Sequence, residues 1–221
     1  MLKCDLHVHT NYSRDGESSV EACLKRAEER GLDVIAITDH DTTDGAVYAM
    51  KCKTPVHVIP GIEISTADGH LIALGITEVI PADLGFAESV KRAHAAGGLC
   101  VIPHPYHKWR HGAALKVKTA IAMVDAVESF NSRYITGAAN RKAARKAAQS
   151  GKPCVAGSDA HNARYVGYGI TLIDAPPEVP AILDAIRDGR CSIHGRMTPL
   201  RTYTRQSMRG AKRRISRRIH R

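Results

Sequence analysis

Two rhythms of apolar and polar positions alternate over roughly the first 175 residues. Asp33-Val34-Ile35-Ala36-Ile37-Thr38 is short, β-branched and continuously apolar, the pattern of a strand buried on both faces. Runs at 2–6, 56–59, 71–76, 99–102, 126–130, 154–156 and 170–173 predict further strands. Ser18-Ser19-Val20-Glu21 has the form of a capping box, followed at helical spacing by Val20, Cys23, Leu24 and Ala27 and stopped at Gly31. Helical periodicity returns near 83–96, 136–150 and 178–188. Strands alternating with helices predict βα units around a largely parallel sheet. The pattern thins after Gly189, so residues 190–221 read as an appendage.

The 221 residues suit one domain, or one domain with a small addition. With 43% hydrophobic and 24% charged residues the usage is ordinary for a globular chain. No apolar run approaches the ~20 residues a membrane helix needs, and the first residues lack a signal-peptide layout. The six cysteines form no C-x-x-C pair, which fits a reducing compartment, and a cytoplasmic location is the expectation. The net charge of +10 is largely local. Residues 201–221 hold nine Lys or Arg and no acid, so the remainder carries only +1. Such a block is a solvated arm or a contact for nucleic acid, and its one aromatic residue, Tyr203, gives no stacking platform.

The metal-competent residues are not scattered. His7 and His9 follow the run at 2–6, Asp39-His40-Asp41 follows Thr38, and Glu63 follows Val58-Ile59-Pro60-Gly61-Ile62. His104 follows Pro103, and Asp159 and His161 follow Ser158. The carboxyl ends of parallel strands share one face in barrels and doubly wound sheets, so these residues are predicted to meet. Each alone has a plainer reading. Two histidines in H-x-H can be merely hydrogen-bonded, Asp39-His40-Asp41 can cap a helix, and Asp159 can belong to a turn. Together, crowded imidazoles and carboxylates are costly unless paired or bound to cations, and these donors suit Zn, Mn or Fe.

The motifs also run in a familiar order. Asp5-Leu6-His7-Val8-His9-Thr10, Ser13-Arg14-Asp15-Gly16, Thr38-Asp39-His40-Asp41, Gly61-Ile62-Glu63, His104-Pro105 and Gly157-Ser158-Asp159-Ala160-His161 resemble the successive motifs of the PHP (polymerase and histidinol phosphatase) family. The resemblance implies an α/β fold, a distorted (β/α)7 barrel over residues 1–189, with the basic tail in the 190–221 appendage. It also implies a trinuclear centre that hydrolyses phosphate esters with two or three divalent ions. By that resemblance His7, His9, Glu63 and Asp159 would hold one ion, and Glu63, His70 and His104 a second. Asp15, His40 and His161 would hold a third. His70 and Asp15 have plainer readings as a strand-end histidine and a turn former. The aspartate at 15 leans towards the nucleotide-hydrolysing branch of the family.

Cations would neutralise the ester's charge, lower the pKa of bound water and stabilise the leaving oxygen. Asp159, His161 and Glu63 are the expected catalytic residues. Asp39 and Asp41 are candidates for orienting ligand imidazoles. Arg110 and Arg133 are candidate phosphate contacts, with an ordinary surface role as the alternative. Trp109 reads as a core or lid residue before a base-stacking one, and Glu128 as a neighbour of the site. The leading expectation is a phosphomonoesterase acting on a nucleotide or similar small phosphate. The alternatives are a nuclease on short oligonucleotides, with 201–221 gathering substrate, and a metal-stabilised scaffold tethered to nucleic acid.

Overall fold

The computed structural model describes residues 1–107, 111–134 and 136–199. Among these residues nine strands and six α-helices follow in chain order: β1 Leu2–Val8, α1 Val20–Glu29, β2 Val34–Ile37, α2 Asp44–Ala49, β3 His57–Thr66, β4 Gly69–Leu74, α3 Phe86–Ala95 and β5 Leu99–Ile102. Then come α4 Ala120–Met123, β6 Ala126–Asn131, α5 Ala138–Gln149, β7 Cys154–Gly157, β8 Gly169–Ile173, α6 Val179–Arg187 and β9 Cys191–Gly195. The sheet order is β7-β6-β5-β4-β3-β2-β1-β8-β9. It curls until the ends of β7 and β1 meet, where Asp159 N donates to His7 O at 2.8 Å and His9 N to Ala160 O at 2.9 Å. The expected α/β barrel is what the chain forms.

The sheet is parallel except where β4 and β8 run backwards against both neighbours. Alternation fills the interior. Cys4, Leu6, Val34, Ala36, Ile59, Ile72, Leu74, Leu99, Val101, Ala126, Val155 and Ile173 face one another inside. Ile182, Leu183 and Ile186 of α6 join them and stopper the amino end of the barrel. Each valine, leucine or isoleucine among them contributes ~1.5–3 kcal/mol by leaving water. The opposite faces of β1–β3 pack on α1 and α2, and those of β3–β6 on α3, α4 and α5.

Several local expectations are corrected. Ser19, not Ser18, is the N-cap of α1, accepting from Ala22 N at 3.3 Å, while Ser18 Oγ accepts from Ala163 N. Short α2 and α4 carried too few apolar repeats to be predicted. Residues 191–195, read as appendage, pair with β8 as β9. No helix among the described residues is long and apolar enough to cross a membrane.

Candidate metal centre

Two irregularities in the sheet aim the site. In β1, Asp5 pairs with Ile35 and Val8 with Ile37, so three steps on β1 oppose two on β2. The extra residue reverses the facing: Cys4 and Leu6 point into the barrel, yet Val8 packs outside with α1. His7 and His9 therefore turn inward at the carboxyl end. In β6 the pairing jumps from Glu128–Val155 to Phe130–Ala156, and Glu128 and Asn131 both reach the same cavity wall. Bulges of this kind re-aim side chains beside active sites. Gly157 makes the packing possible, because a Cβ there would meet His7 Cβ and Glu128 Oε1.

Glu63 lies at the centre. Its Oε2 faces His9 Nε2 at 3.0 Å, His7 Nε2 at 3.2 Å and His40 Nε2 at 3.5 Å. Its Oε1 faces His70 Nδ1 at 2.8 Å and His104 Nε2 at 3.0 Å. Asp159 Oδ1 is 3.8 Å from His7 Nε2 and 3.7 Å from His9 Nε2. At the open edge, His161 Nε2 is 3.0 Å from the half-exposed carboxylate of Asp15. All nine predicted metal-binding residues thus fall in one region. His70 reaches it because β4 runs backwards, which puts its amino end at the carboxyl ends of the parallel strands.

Donor atoms gather in four overlapping sets: His7-His9-Glu63, His7-His104-Asp159, His40-Glu63-His70 and His9-His40-His161. The outward nitrogens of His7 and His9 are already committed. His7 Nδ1 donates to Glu128 Oε1 at 2.8 Å. Ser13 Oγ gives its proton to Asp39 Oδ1 at 2.8 Å, so at 3.2 Å it accepts from His9 Nδ1. The Nε2 atoms of His7 and His9 are left facing each other at 3.0 Å across one carboxylate oxygen. Such a junction needs a positive occupant, either a proton or a metal ion, and the donor set fits a divalent cation.

Without metal, a proton takes that place. Burial alone would lower the His7 pKa, but Asp159, Glu128 and Glu63 raise it well above the usual imidazole range. Burial pushes His40 down to about 4, and burial with the nearby Arg133 charge does the same to His161. Neutral imidazoles are the ligand form. Burial opposes ionisation of Glu63, yet the surrounding imidazoles hold its carboxyl well below the ordinary range.

The supporting residues differ in part from expectation. Asp39 accepts from Thr10 N, Thr10 Oγ1, Ser13 N and Ser13 Oγ, and so reaches His9 only through Ser13. Asp41 does not orient an imidazole; its Oδ1 accepts from Ser65 N at 2.7 Å. Asn131 was not foreseen. Its Nδ2 donates to Glu128 Oε2 at 2.8 Å and to Asp159 Oδ2 at 3.0 Å. Arg133 Nη1 lies 3.3 Å from Asp159 Oδ1 and against the His161 ring. Arg110, Trp109 and residues 201–221 lie outside the described residues.

A model described as the PHP domain matches residues 5–142, and one described as PHP-associated matches 137–191. An uncharacterized protein of Methanocaldococcus jannaschii is 37% identical over 157 residues, covering 66% of this chain and 91% of that one. A phosphoribosyl 1,2-cyclic phosphate 1,2-diphosphodiesterase of Eggerthella lenta is 38% identical over 100 residues, covering 41% of this chain and 38% of that one. Among solved structures, a two-domain protein from Bacteroides vulgatus containing a predicted PHP-like metal-dependent phosphoesterase superposes with a TM-score of 0.73 at 20% identity. That match covers 88% of this chain, which spans 65% of the other. Fold, site and relatives together define a metal-dependent phosphoesterase, a hydrolase of ester bonds. The chain belongs to the PHP family, whose model matches more than half of it.

Proposed function

We propose that the protein is a phosphomonoesterase acting on a nucleotide or another small phosphorylated molecule. The observation that carries this reading is the ring of five imidazoles around the two oxygens of Glu63. On this reading His7, His9, Glu63 and Asp159 hold one divalent ion, Glu63, His70 and His104 a second, and Asp15, His40 and His161 a third. Mn, Zn or Fe suits these donors. Bound ions supply charge neutralisation of the ester and a water acidic enough to attack at neutral pH.

The chain's own residues do the positioning. Arg133, half-buried beside Asp159, offers a planar fork of donors to phosphate oxygens. Glu128 and Asn131 hold the His7 ring and the Asp159 carboxylate in fixed orientation. Asp15, at the open edge, leaves room for a leaving group on the solvent side. The Eggerthella lenta relative acts, by its name, on a small phosphorylated sugar, which supports a small substrate.

The test compares p-nitrophenyl phosphate with its bis-ester, using protein stripped of metal and reloaded with Mn or Zn. The expected result is metal-restored turnover that favours the monoester. A preference for the bis-ester would replace the proposal with a phosphodiesterase. Metal bound in full without turnover of any phosphate ester would favour a scaffold.

A further inference from the structure

The strand directions bring the end of β9 to the same face as the metal centre. β8 runs against β1 and β9 against β8, so β9 points the way β1 does. The chain leaving β9 therefore crosses the site end of the barrel, and it is fastened there as a strap. Gly195 lies flat on Phe130, where a Cβ would strike the ring. Arg196 N donates to Tyr168 O at 2.8 Å, and its guanidinium stacks 3.9 Å from the centre of the Tyr168 ring. Thr198 N donates to Ser132 O at 2.7 Å. Thr198 is buried, although Pro199 beside it is exposed.

The Thr198 hydroxyl is the informative group. Its Oγ1 lies 2.9 Å from Ser132 Oγ, and Ser132 Oγ gives its own proton to Ser158 O at 2.6 Å. Ser132 Oγ therefore accepts, and Thr198 Oγ1 donates. All three residues are buried, where an unmade hydrogen bond is costly. This relay joins the strap to two loops that carry site residues, since Arg133 follows Ser132 and Asp159 follows Ser158. β6 ends at Asn131, so the peptide between Ser132 and Arg133 has left the ladder. Its N–H, on Arg133, donates to Asn131 Oδ1 at 2.9 Å, and its carbonyl, on Ser132, accepts from Thr198. Asn131 thus fixes one side of the peptide and the strap fixes the other. From it the Arg133 side chain reaches Asp159 Oδ1 at 3.3 Å.

We propose that Thr198 is a positioning residue for Arg133: it fixes the peptide from which the guanidinium reaches the metal centre, and so sets how tightly the site grips a phosphate. The proposal rests on the reading of Arg133 as a phosphate contact given above.

The test uses the full chain with Thr198→Val, which keeps the shape and removes the hydroxyl, and Thr198→Ser, which keeps the hydroxyl. Thr198→Val is also made in an Arg133→Ala background. With Mn content matched, kcat and KM are measured for p-nitrophenyl phosphate. Calorimetry follows binding of inorganic phosphate, which needs no turnover. A grip made equally in the ground and transition states appears in KM and leaves kcat unchanged. A merely structural loss lowers the active fraction, and with it kcat. Thr198→Val is expected to raise KM and the phosphate Kd about fivefold, with kcat near the parent value, and Thr198→Ser to stay within about twofold. In the Arg133→Ala background Thr198→Val should change either constant by less than about twofold, because residues acting through one another are not additive. Equal losses in both backgrounds, a fall in kcat alone, or phosphate bound by Arg133→Ala as by the parent would each overturn the proposal. Weaker phosphate binding in Thr198→Val that disappears in the Arg133→Ala background, with no turnover of any ester, would keep the positioning role and reject the phosphatase reading.

Discussion

Ser13 Oγ stands 3.2 Å from His9 Nδ1, and the same oxygen accepts from His40 N at 2.9 Å while donating to Asp39. One hydroxyl thus sets the tautomer of one imidazole and the backbone position of another. Removing it leaves the buried Asp39 short of a donor and lets the His9 ring turn. Ser13→Ala is expected to weaken metal binding about 10- to 100-fold, as losses around a metal ligand do. Ser13→Thr, which keeps the hydroxyl, should recover most of it. Metal titration of the two variants checks this, and equal affinities would show that Ser13 does not position His9.

Asn131 separates two buried carboxylates by donating to both. Asn131→Asp keeps the shape, removes both donors and brings in a third negative charge. Buried unsatisfied charged acceptors are expensive, so a loss of about 3 kcal/mol, roughly 10 °C in Tm for a chain of this size, is expected without metal. Divalent metal should restore part of it by neutralising the cluster. A thermal melt with and without Mn measures both effects, and an unchanged Tm would mean the carboxylates do not depend on Asn131.

The proton between His7 and His9 makes metal binding sensitive to pH. Because the folded His7 pKa is raised, its protonation stabilises the metal-free protein below the ordinary imidazole pKa of about 6.5, and this is lost as pH rises through the raised value. His40 and His161 have the opposite sign: folded values of about 4 mean that stability falls as pH drops from about 6.5 towards 4. Metal must displace the His7 proton and finds His40 and His161 already neutral. Calorimetry at pH 7 in buffers of different ionisation enthalpy should therefore show about one proton released per protein from this group. No release would place the proton elsewhere.

What the sequence revealed, and what it hid, follows from how each residue is presented. His7, His9, Glu63, His104, Asp159 and His161 end apolar runs, so strand direction alone gathers them. His70 precedes its run, and only the reversal of β4 brings it to the same end of the barrel. Its role was legible through resemblance, not through pattern. The bulge in β1 is hidden by the alternation itself: Cys4, Leu6 and Val8 are evenly spaced in sequence, yet Val8 faces the other way. Asn131 and Ser13 are common residue types whose importance lies in serving several partners at once.

Gly157 gives a steric test of the same region. Its missing Cβ is the space in which His7 and Glu128 meet, so Gly157→Ala must push one of them aside. Pushing Glu128 breaks its bonds to His7 Nδ1 and to His104 N, two of the supports on either side of Glu63. Loss of metal affinity of at least about tenfold is expected, with a smaller fall in Tm than Asn131→Asp causes, since one methyl group of overpacking typically costs ~1–3 kcal/mol. Parent-like affinity would show that the pocket yields without moving Glu128.

The block of nine cations at 201–221 raises a separate question, as a candidate contact for polyanions. The rest of the chain carries a charge of +1 with those cations set aside, and the candidate metal ligands all lie between 7 and 161. Truncation after Leu200 is therefore expected to leave turnover of a small phosphate ester within about twofold of the parent, since the segment removed holds none of the candidate metal ligands. Any oligonucleotide affinity should fall and its salt slope flatten. A salt slope unchanged by truncation would dispose of a polyanion-binding role for the tail. Turnover of the small ester that collapsed on truncation would instead tie the tail to the barrel itself.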